Sequence, residues 1–391
     1  VNHDREPDIT TNHFIMRLSY ELFKELLNFQ LLWYIIKFMK TAKKIRLFII
    51  IVIIFTILYL FFAAKPLSKE YQFNPVWNIN TSYPAIKTSD LQENQIHFHL
   101  GQTIGYFDSK GTITHYKTFP SKVSISDYYY AIYDTNASHI PFYSPDGKQA
   151  GIISASGYPY FVNDLIYVML PGGASFAKCD EKGNIIWQYE GIIPITAFSA
   201  KQDFTAIGLS DGTIKVFDNA TGETQIAFSP GGSDYPVILG LDISENGEYI
   251  ASISGHNQQR FVLSHKEGAG QKIIYHTFLD TDSPYRTLIH FCDDKKRVFY
   301  NFEKKLGIYD LKSQTNTFIN LQSKVISIEE SDYFVYLLGK EQHEYTVSLI
   351  ENTNTLGGSF SFTADTAFIH SVDNNLYIGK DNTISCLSIS K

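Results

Sequence analysis

Histidine and cysteine are the side chains of this sequence best suited to binding a metal. His97 and His99 alternate along an apolar run, so in a strand both would point to the same face. Two imidazoles on one face can ligate a metal, but no third ligand lies near this pair in the sequence. The 3 cysteines are too few and too scattered for a disulfide framework or a Cys-x-x-Cys site. The sequence therefore predicts no metal site and no cofactor.

Motifs for the common catalytic chemistries are absent as well. The sequence contains no Gly-x-Ser-x-Gly elbow, no His-Glu-x-x-His helix and no phosphate-binding loop. The pairs Gly172-Gly173 and Gly231-Gly232 are interpreted as turn glycines, because no helix follows either pair to bind a phosphate. No catalytic residue is predicted, and the sequence favours a protein that is not an enzyme.

Residues typical of protein interfaces gather in two polar segments, 255–260 and 280–286. The first contains His256 and Arg260, and the second contains Tyr285 and Arg286. Tyrosine and arginine are over-represented among the residues that contribute most to protein binding. These four side chains are the predicted partner-binding rim, with ordinary variation in loop length as the alternative explanation.

A repeated strand-turn-strand phrase defines the elements that would position these residues. The phrase recurs about eight times between Gln95 and Lys391, and its last residues fall at 108, 144, 180, 218, 265, 310, 350 and 388. A period near forty, with several short β-type runs in each unit, is typical of a β-propeller. The predicted fold class is an all-β propeller of eight four-stranded blades over residues 75–391, with seven blades as the alternative.

Repeat four shows the pattern most clearly. Its predicted strands are 204–209, 213–217 and 224–228, and the intervening Asp-Gly and Thr-Gly pairs supply the positive φ that tight turns require. Strands equivalent to the first of these are predicted at 96–100, 129–133, 165–170, 249–254, 297–302, 333–338 and 375–379.

The two ends of the repeat region are predicted to meet. The eighth repeat ends after its third strand, and an unassigned strand at 75–80 resembles 185–190, an outer strand of repeat three. We expect 75–80 to complete the last blade and cover its open edge. The two widest repeat spacings both involve repeat five, which carries the predicted rim on a turn and on the connection that follows it.

Several phrases resemble known propeller families. Residues 183–191 resemble the outer strand of quinoprotein-type, PQQ-like repeats, whereas 210–218 and 243–252 resemble WD-repeat phrases. The resemblance covers the blade architecture of residues 75–391. In layout the chain is similar to the extracytoplasmic propeller lipoprotein of the outer-membrane assembly machine. The Trp-Asp pair of WD repeats is missing from all eight phrases, so the His–Asp–Trp relay of that family is not implied. The scattered cysteines likewise do not fit the quinone-dependent dehydrogenases.

An uncharged run at 47–64 predicts a transmembrane signal-anchor helix. Its 18 residues would span about 27 Å as a helix, close to the roughly 30 Å hydrocarbon core. More cations precede the run than follow it, which predicts residues 1–46 in the cytoplasm and the propeller in the periplasm, on a single-pass anchor in the cytoplasmic membrane. Phe62 disfavours signal cleavage after Ala64, and residues 65–74 are interpreted as a stalk.

Residues 1–38 allow two interpretations. Met39 to Lys44 resembles the cationic start of a signal sequence, so translation could begin at Met39. Alternatively, residues 1–38 form a short cytoplasmic or interfacial helix.

Charge and fold together lead to the predicted function. Residues 1–64 contain 8 basic and 5 acidic residues, which leaves 25 basic and 35 acidic residues in the rest of the chain. An acidic propeller without a basic stripe argues against nucleic acid as a partner. The predicted function is a protein-interaction scaffold in the cell envelope, with an envelope protein as partner. The alternative is an extracytoplasmic enzyme or small-ligand-binding propeller with a site in the central channel.

Overall fold

The structure is a computed structural model that describes residues 42–63, 71–82, 95–135, 137–232, 234–256, 258–268, 270–281, 283–292 and 296–390. The chain divides into two compact units, Val1–Ser68 and Lys69–Lys391. The interpretations of residues 1–38 and of a start at Met39 lie outside the described residues.

Among the described residues of the first unit, helix α1 spans Ala42–Ala63. Lys43, Lys44 and Arg46 lie among its first five residues. Among the described residues no helix has the length and apolar character needed to cross a membrane. The predicted transmembrane helix at 47–64 is therefore wrong.

The second unit is a β-propeller whose described residues form eight antiparallel sheets. Strands are lettered A to D from the innermost to the outermost strand of each blade. Blade 1 contains β2 Ile96–Leu100, β3 Thr103–Phe107 and β4 Ile113–Thr118, and blade 2 contains β5 Lys122–Ile125, β6 Tyr130–Tyr133, β7 Ile140–Tyr143 and β8 Gln149–Ile153. Blade 3 contains β9 Tyr158–Val162, β10 Leu165–Met169, β11 Phe176–Cys179 and β12 Ile185–Tyr189. Blade 4 contains β13 Ile195–Ala200, β14 Phe204–Leu209, β15 Ile214–Asp218 and β16 Thr224–Phe228.

Blades 5 to 8 follow the same order. Blade 5 contains β17 Ile238–Ile243, β18 Tyr249–Ser254, β19 Arg260–Glu267 and β20 Gly270–Phe278, and blade 6 contains β21 Ile289–Phe291, β22 Arg297–Phe302, β23 Lys305–Asp310 and β24 Thr315–Asn320. Blade 7 contains β25 Lys324–Glu330, β26 Phe334–Glu341, β27 Glu344–Glu351 and β28 Leu356–Thr363. Blade 8 contains β29 Ala367–Val372, β30 Asn375–Lys380 and β31 Thr383–Ser390, with β1 Gln72–Asn80 as its outer strand. Seven of the described sheets have four strands, and blade 1 has strands B to D. The prediction of eight blades is confirmed.

The burial of the strands follows their place in the blade. Strand β22 is buried at every residue because neighbouring blades cover both of its faces. Every residue of outer strand β20 is exposed or half-buried. Aromatic side chains fill the space between blades, as where Phe261 of blade 5 stacks on Tyr300 of blade 6 with ring centroids 3.8 Å apart. This packing between blades agrees with the 15% aromatic content of the chain, because large aromatic side chains fill the space between neighbouring sheets.

The ring is closed by β1, as the sequence predicts. Strand β1 pairs antiparallel with β31, from Gln72 opposite Ser390 to Asn80 opposite Thr383. Asn78 Nδ2 also donates to Ser385 Oγ at 2.7 Å. Pro75, which has no N–H to give to a ladder, is tolerated because β1 is an edge strand with a bulge at this point.

Strand direction gives the propeller two distinct faces. B–C turns and D–A connections lie on one of them, here called the B–C face. A–B turns and C–D turns lie on the opposite side, here called the A–B face. The backbone bonds agree with this assignment, since Ile195 N at the start of β13 donates to Gly173 O in a B–C turn at 2.8 Å.

Candidate functional site

The predicted rim is a continuous part of the B–C face. His256 N in the B–C turn of blade 5 donates to Tyr235 O in the preceding D–A connection at 3.1 Å. The same turn contacts the connection that follows, because Leu279 N donates to Gln259 O at 2.7 Å and Gln259 Nε2 donates to Ser283 O. The turn and both connections around blade 5 are thus joined by hydrogen bonds.

The four predicted rim residues have different environments. His256, Tyr285 and Arg286 are exposed on the B–C face. Arg260 instead turns inward, where its Nη2 donates to Pro230 O and its Nε is buried without a hydrogen-bond partner among the described residues. Burial lowers the pKa of this guanidinium. Arg260 therefore supports the connection around Pro230, whereas the other three side chains are available to a partner.

Tyr285 and Arg286 stand at the mouth of the central channel. The Tyr285 side chain is 65% exposed, and Lys324 Nζ lies 4.7 Å from the centre of its ring. Arg286 lines a channel cavity of about 560 Å³ together with Tyr160 from the inner strand of blade 3. Desolvation raises the pKa of Tyr160, and the nearby Arg286 cation opposes that rise. A cation and an aromatic ring are thus presented together beside an accessible cavity.

Two further residues extend this surface. Ile192 and Tyr235 are 97% and 60% exposed, and each lies three residues before the inner strand that it introduces. Tyr285 occupies the corresponding place in the next connection, four residues before β21. We call Ile192, Tyr235 and Tyr285 the apolar crescent. Aligning the D–A connections by the start of each inner strand would have found the first two, which the sequence analysis missed.

The A–B face has a different character, because histidines and carboxylates meet near the ends of the inner strands. We call this set the His–acid arc, and it consists of His97, Asp127, His290, Glu329, Glu330 and His370. At one end, His97 Nδ1 lies 2.7 Å from Asp127 Oδ1, which also accepts from His97 N at 2.9 Å. The His97 and His370 rings lie 4.4 Å apart, so the arc passes between blades 2, 1 and 8.

Glutamates 329 and 330 continue the arc into blades 7 and 6. His370 Nδ1 lies 3.6 Å from Glu329 Oε2, and His290 Nε2 lies 3.1 Å from Glu330 Oε2. Because adjacent residues of a strand point to opposite faces, the two glutamates reach the blades on either side of β25.

The charges of the arc stabilise one another. Burial lowers the pKa of His370, but the hydrogen bond and charge of Glu329 and the charge of Asp127 raise it by a larger amount. The pKa of His370 therefore lies above its ordinary value. Burial raises the pKa of Asp127, and the hydrogen bonds and charge of His97 outweigh that effect, so the net shift is downward. Both shifts favour charged side chains within the arc.

The arc was not predicted, although the sequence contains a signal for it. His290 and Glu330 are 40 residues apart, and His370 follows Glu330 by another 40. This separation equals the repeat period, so the three residues occupy comparable inner-strand positions of blades 6, 7 and 8. His97 and His99, which the sequence places on one face of a strand, have separate partners: Asp127 for His97 and the Gly101 carbonyl, 3.1 Å away, for His99.

Asp242 joins the inner strands beside the arc. This carboxylate is only 6% exposed and accepts from Ser199 Oγ at 2.6 Å and from Phe291 N at 2.8 Å. It also accepts from Ile243 N at 3.0 Å. One side chain therefore connects blades 4, 5 and 6 at the channel.

These features define a β-propeller, and comparison with known proteins agrees. The model of a family described as "beta-propeller protein" matches residues 39–391, and the chain belongs to this family. It is also similar to an uncharacterized protein of Treponema pallidum (strain Nichols), with 28% identity over 316 residues that cover 78% of this chain and 84% of the relative.

Solved structures share the architecture at low sequence identity. BamB from Moraxella catarrhalis is 12% identical with a TM-score of 0.55, over 81% of this chain and 100% of that one. The computationally designed Ika8 protein is 14% identical with a TM-score of 0.58, over 78% and 96% of the two chains. The WD40 domain of Toxoplasma gondii coronin is 13% identical with a TM-score of 0.51, over 83% and 87%. These likenesses concern the fold, and a PQQ-like repeat type remains a prediction.

Proposed function

We propose that the propeller is a protein-interaction scaffold that binds its partner on the B–C face. The apolar crescent is the observation that supports this most strongly. Three successive connections each present one large apolar side chain to solvent, with exposures of 97%, 60% and 65%. Large apolar side chains exposed on one face beside polar residues are typical of a binding site, and here they occur in successive connections of the B–C face.

The chemistry of the crescent indicates the kind of partner. Arg286 is exposed next to Tyr285, and the Lys324 ammonium lies over the Tyr285 ring. Tyrosine and arginine are typical anchors, and these cations complement negative charge. A protein segment that combines apolar side chains with carboxylates would satisfy both features. An acidic propeller makes nucleic acid an unsuitable partner.

A location outside the cytoplasm, with a partner in the cell envelope, is part of the proposal. Its support is the cationic segment that begins at Met39 and precedes an apolar run, as in secretory signals. Protease added to spheroplasts should digest the propeller. If the domain is digested only after the cells are lysed, this location is wrong.

Crosslinking in intact cells tests the scaffold role. The variant Ile192→Ala, Tyr235→Ala, Tyr285→Ala should remain folded and lose the partners that the wild-type chain captures, because each truncation removes exposed apolar area from the crescent. The matched control is Glu181→Ala, Lys182→Ala, which changes two exposed residues in a C–D turn of the opposite face. Retention of every partner by the folded triple variant would contradict the proposal.

Ligand binding in the channel is the second candidate function. Its support is the His–acid arc, since clustered histidines and carboxylates are the groups that bind ions or transfer protons. The arc and the crescent lie on opposite faces, so the two functions are compatible and can be tested with separate variants.

A further inference from the structure

We propose that His290, Cys292 and Glu330 form a binding site for a divalent transition metal of the zinc class. One ligand atom from each residue lies within 4.8 Å of the others. Zinc binds nitrogen, sulfur and oxygen at about 2.0–2.3 Å, which places neighbouring ligand atoms of a tetrahedral site roughly 3–4 Å apart. Small rotations of the three side chains would bring them to that spacing.

The strand geometry holds two of the ligands on one side of blade 6. His290 and Cys292 are two residues apart, so their side chains point to the same side, toward blade 7 and Glu330. Phe291 between them points the other way and packs in the core between blades 5 and 6. Backbone hydrogen bonds hold the end of this strand in place, because Phe291 N donates to Asp242 Oδ2 at 2.8 Å and Cys292 N donates to Arg297 O at 3.0 Å.

The identity of the ligands indicates the class of metal. Thiolate and imidazole favour zinc and similar transition metals, whereas magnesium and calcium prefer oxygen ligands alone. Three protein ligands leave the fourth tetrahedral position for water or another molecule. Binding would release the thiol proton and replace the contact between His290 and Glu330 with two bonds to the metal.

The surroundings of the site allow a metal to enter. Glu330 lines a cavity of about 670 Å³, and Cys292 lines a second one of about 450 Å³. The larger cavity also contains the carboxylates Asp310, Asp332 and Asp373 with the cations Lys296 and Arg297, so acidic groups outnumber basic ones. Negative charge around an accessible site attracts a divalent cation.

Cobalt(II) is the direct probe, because a cysteine thiolate on cobalt gives a charge-transfer band in the near ultraviolet. Full-length protein stripped of metal should bind one Co²⁺ with this band, and one equivalent of Zn²⁺ should remove the band. The variants Cys292→Ser, His290→Gln and Glu330→Gln should each weaken Zn²⁺ binding by more than the roughly 10- to 100-fold expected for loss of an outer partner. Cys292→Ser should also abolish the band.

Matched variants complete the test. Cys179→Ser removes a buried cysteine of blade 3, and His139→Gln changes an exposed histidine of blade 2. Both should bind Co²⁺ and Zn²⁺ as the wild-type chain does, and melting temperatures measured without metal should show which variants are folded. Absence of the band in wild-type protein, or its persistence in folded Cys292→Ser, would overturn the metal site. Either result would leave the proposed scaffold on the B–C face untouched.

Discussion

The two faces of the propeller use the same repeated strands in opposite ways. On the B–C face, Ile192, Tyr235 and Tyr285 are exposed in connections between blades. On the A–B face, His370 and Glu330 are largely enclosed, with 18% and 13% of their side chains exposed, and each has an oppositely charged or hydrogen-bonding neighbour. Apolar residues are thus exposed on one face, whereas ionisable residues are partly buried on the other.

The two faces differ because the residues of the B–C face lie in connections between blades, whereas those of the A–B face lie near the ends of inner strands. D–A connections lie outside the strand ladders, so their side chains can change without disturbing hydrogen bonds between strands. Residues at the ends of inner strands are enclosed by neighbouring blades, where a polar group must have a partner. Changes on the A–B face should therefore affect stability, and changes on the B–C face should affect binding.

The largest expected effect is the loss of Asp242. The variant Asp242→Ala leaves Phe291 N and Ser199 Oγ without their acceptor, so the free energy of unfolding should fall by about 3 kcal/mol. Urea denaturation measures this change. Asp234→Ala, at an exposed residue beside the crescent, is the control and should change stability by no more than about 0.5 kcal/mol. Equal stability of the two variants would remove the distinction between the faces.

An intermediate effect is expected for single changes in the crescent. Tyr285→Ala should cost about 2 kcal/mol of partner binding while the free energy of unfolding changes by about 0.5 kcal/mol or less. Arg260→Ala should show the reverse pattern, because its guanidinium supports the Pro230 carbonyl. Binding assays and denaturation of the two variants give the comparison. A Tyr285→Ala variant that is destabilised and still binds fully would contradict it.

The smallest effect concerns pH and the His–acid arc. The raised pKa of His370 gives stability that is complete below its ordinary value of 6.5 and is lost as the pH rises through the raised value. The lowered pKa of Asp127 gives stability that is complete above 3.8 and is lost as the pH falls through the lowered value. We expect the melting temperature of wild-type protein to fall as the pH rises above 6.5, and His370→Gln to reduce that fall.

The control for the pH experiment is His256→Gln, which changes an exposed histidine of the B–C face. It should keep the wild-type dependence on pH. The arc has no role in this dependence if His370→Gln and His256→Gln both follow the wild-type curve.

Much of the propeller could be predicted because its repeat is local. Strands β14 and β16 begin and end at the predicted residues, and β1 pairs with β31 as predicted. Turn glycines and alternating apolar residues act within a few positions, so sequence alone reveals them. The predicted transmembrane helix is wrong, since no helix among the described residues could cross a membrane.

The candidate sites were harder to predict because they depend on contacts between blades. The inward direction of Arg260 is set by the Pro230 carbonyl, thirty residues earlier in the chain. The contact between His290 and Glu330 depends on the position of each residue within its inner strand. The repeat period alone predicts that position only to within several residues. A one-residue shift in a strand would turn either side chain to the other face.

Closure of the last blade has a consequence for how the protein is made. Asn74 on β1 and Ser390 on β31 form a hydrogen bond although they are separated by 316 residues. Among the described strands of the propeller, β1 leaves the ribosome first and its partner β31 leaves last. Blade 8 therefore stays incomplete throughout synthesis, and the open edge of β1 needs protection from wrong pairing until β31 arrives. Premature termination within β31 would accordingly damage both ends of the propeller at once.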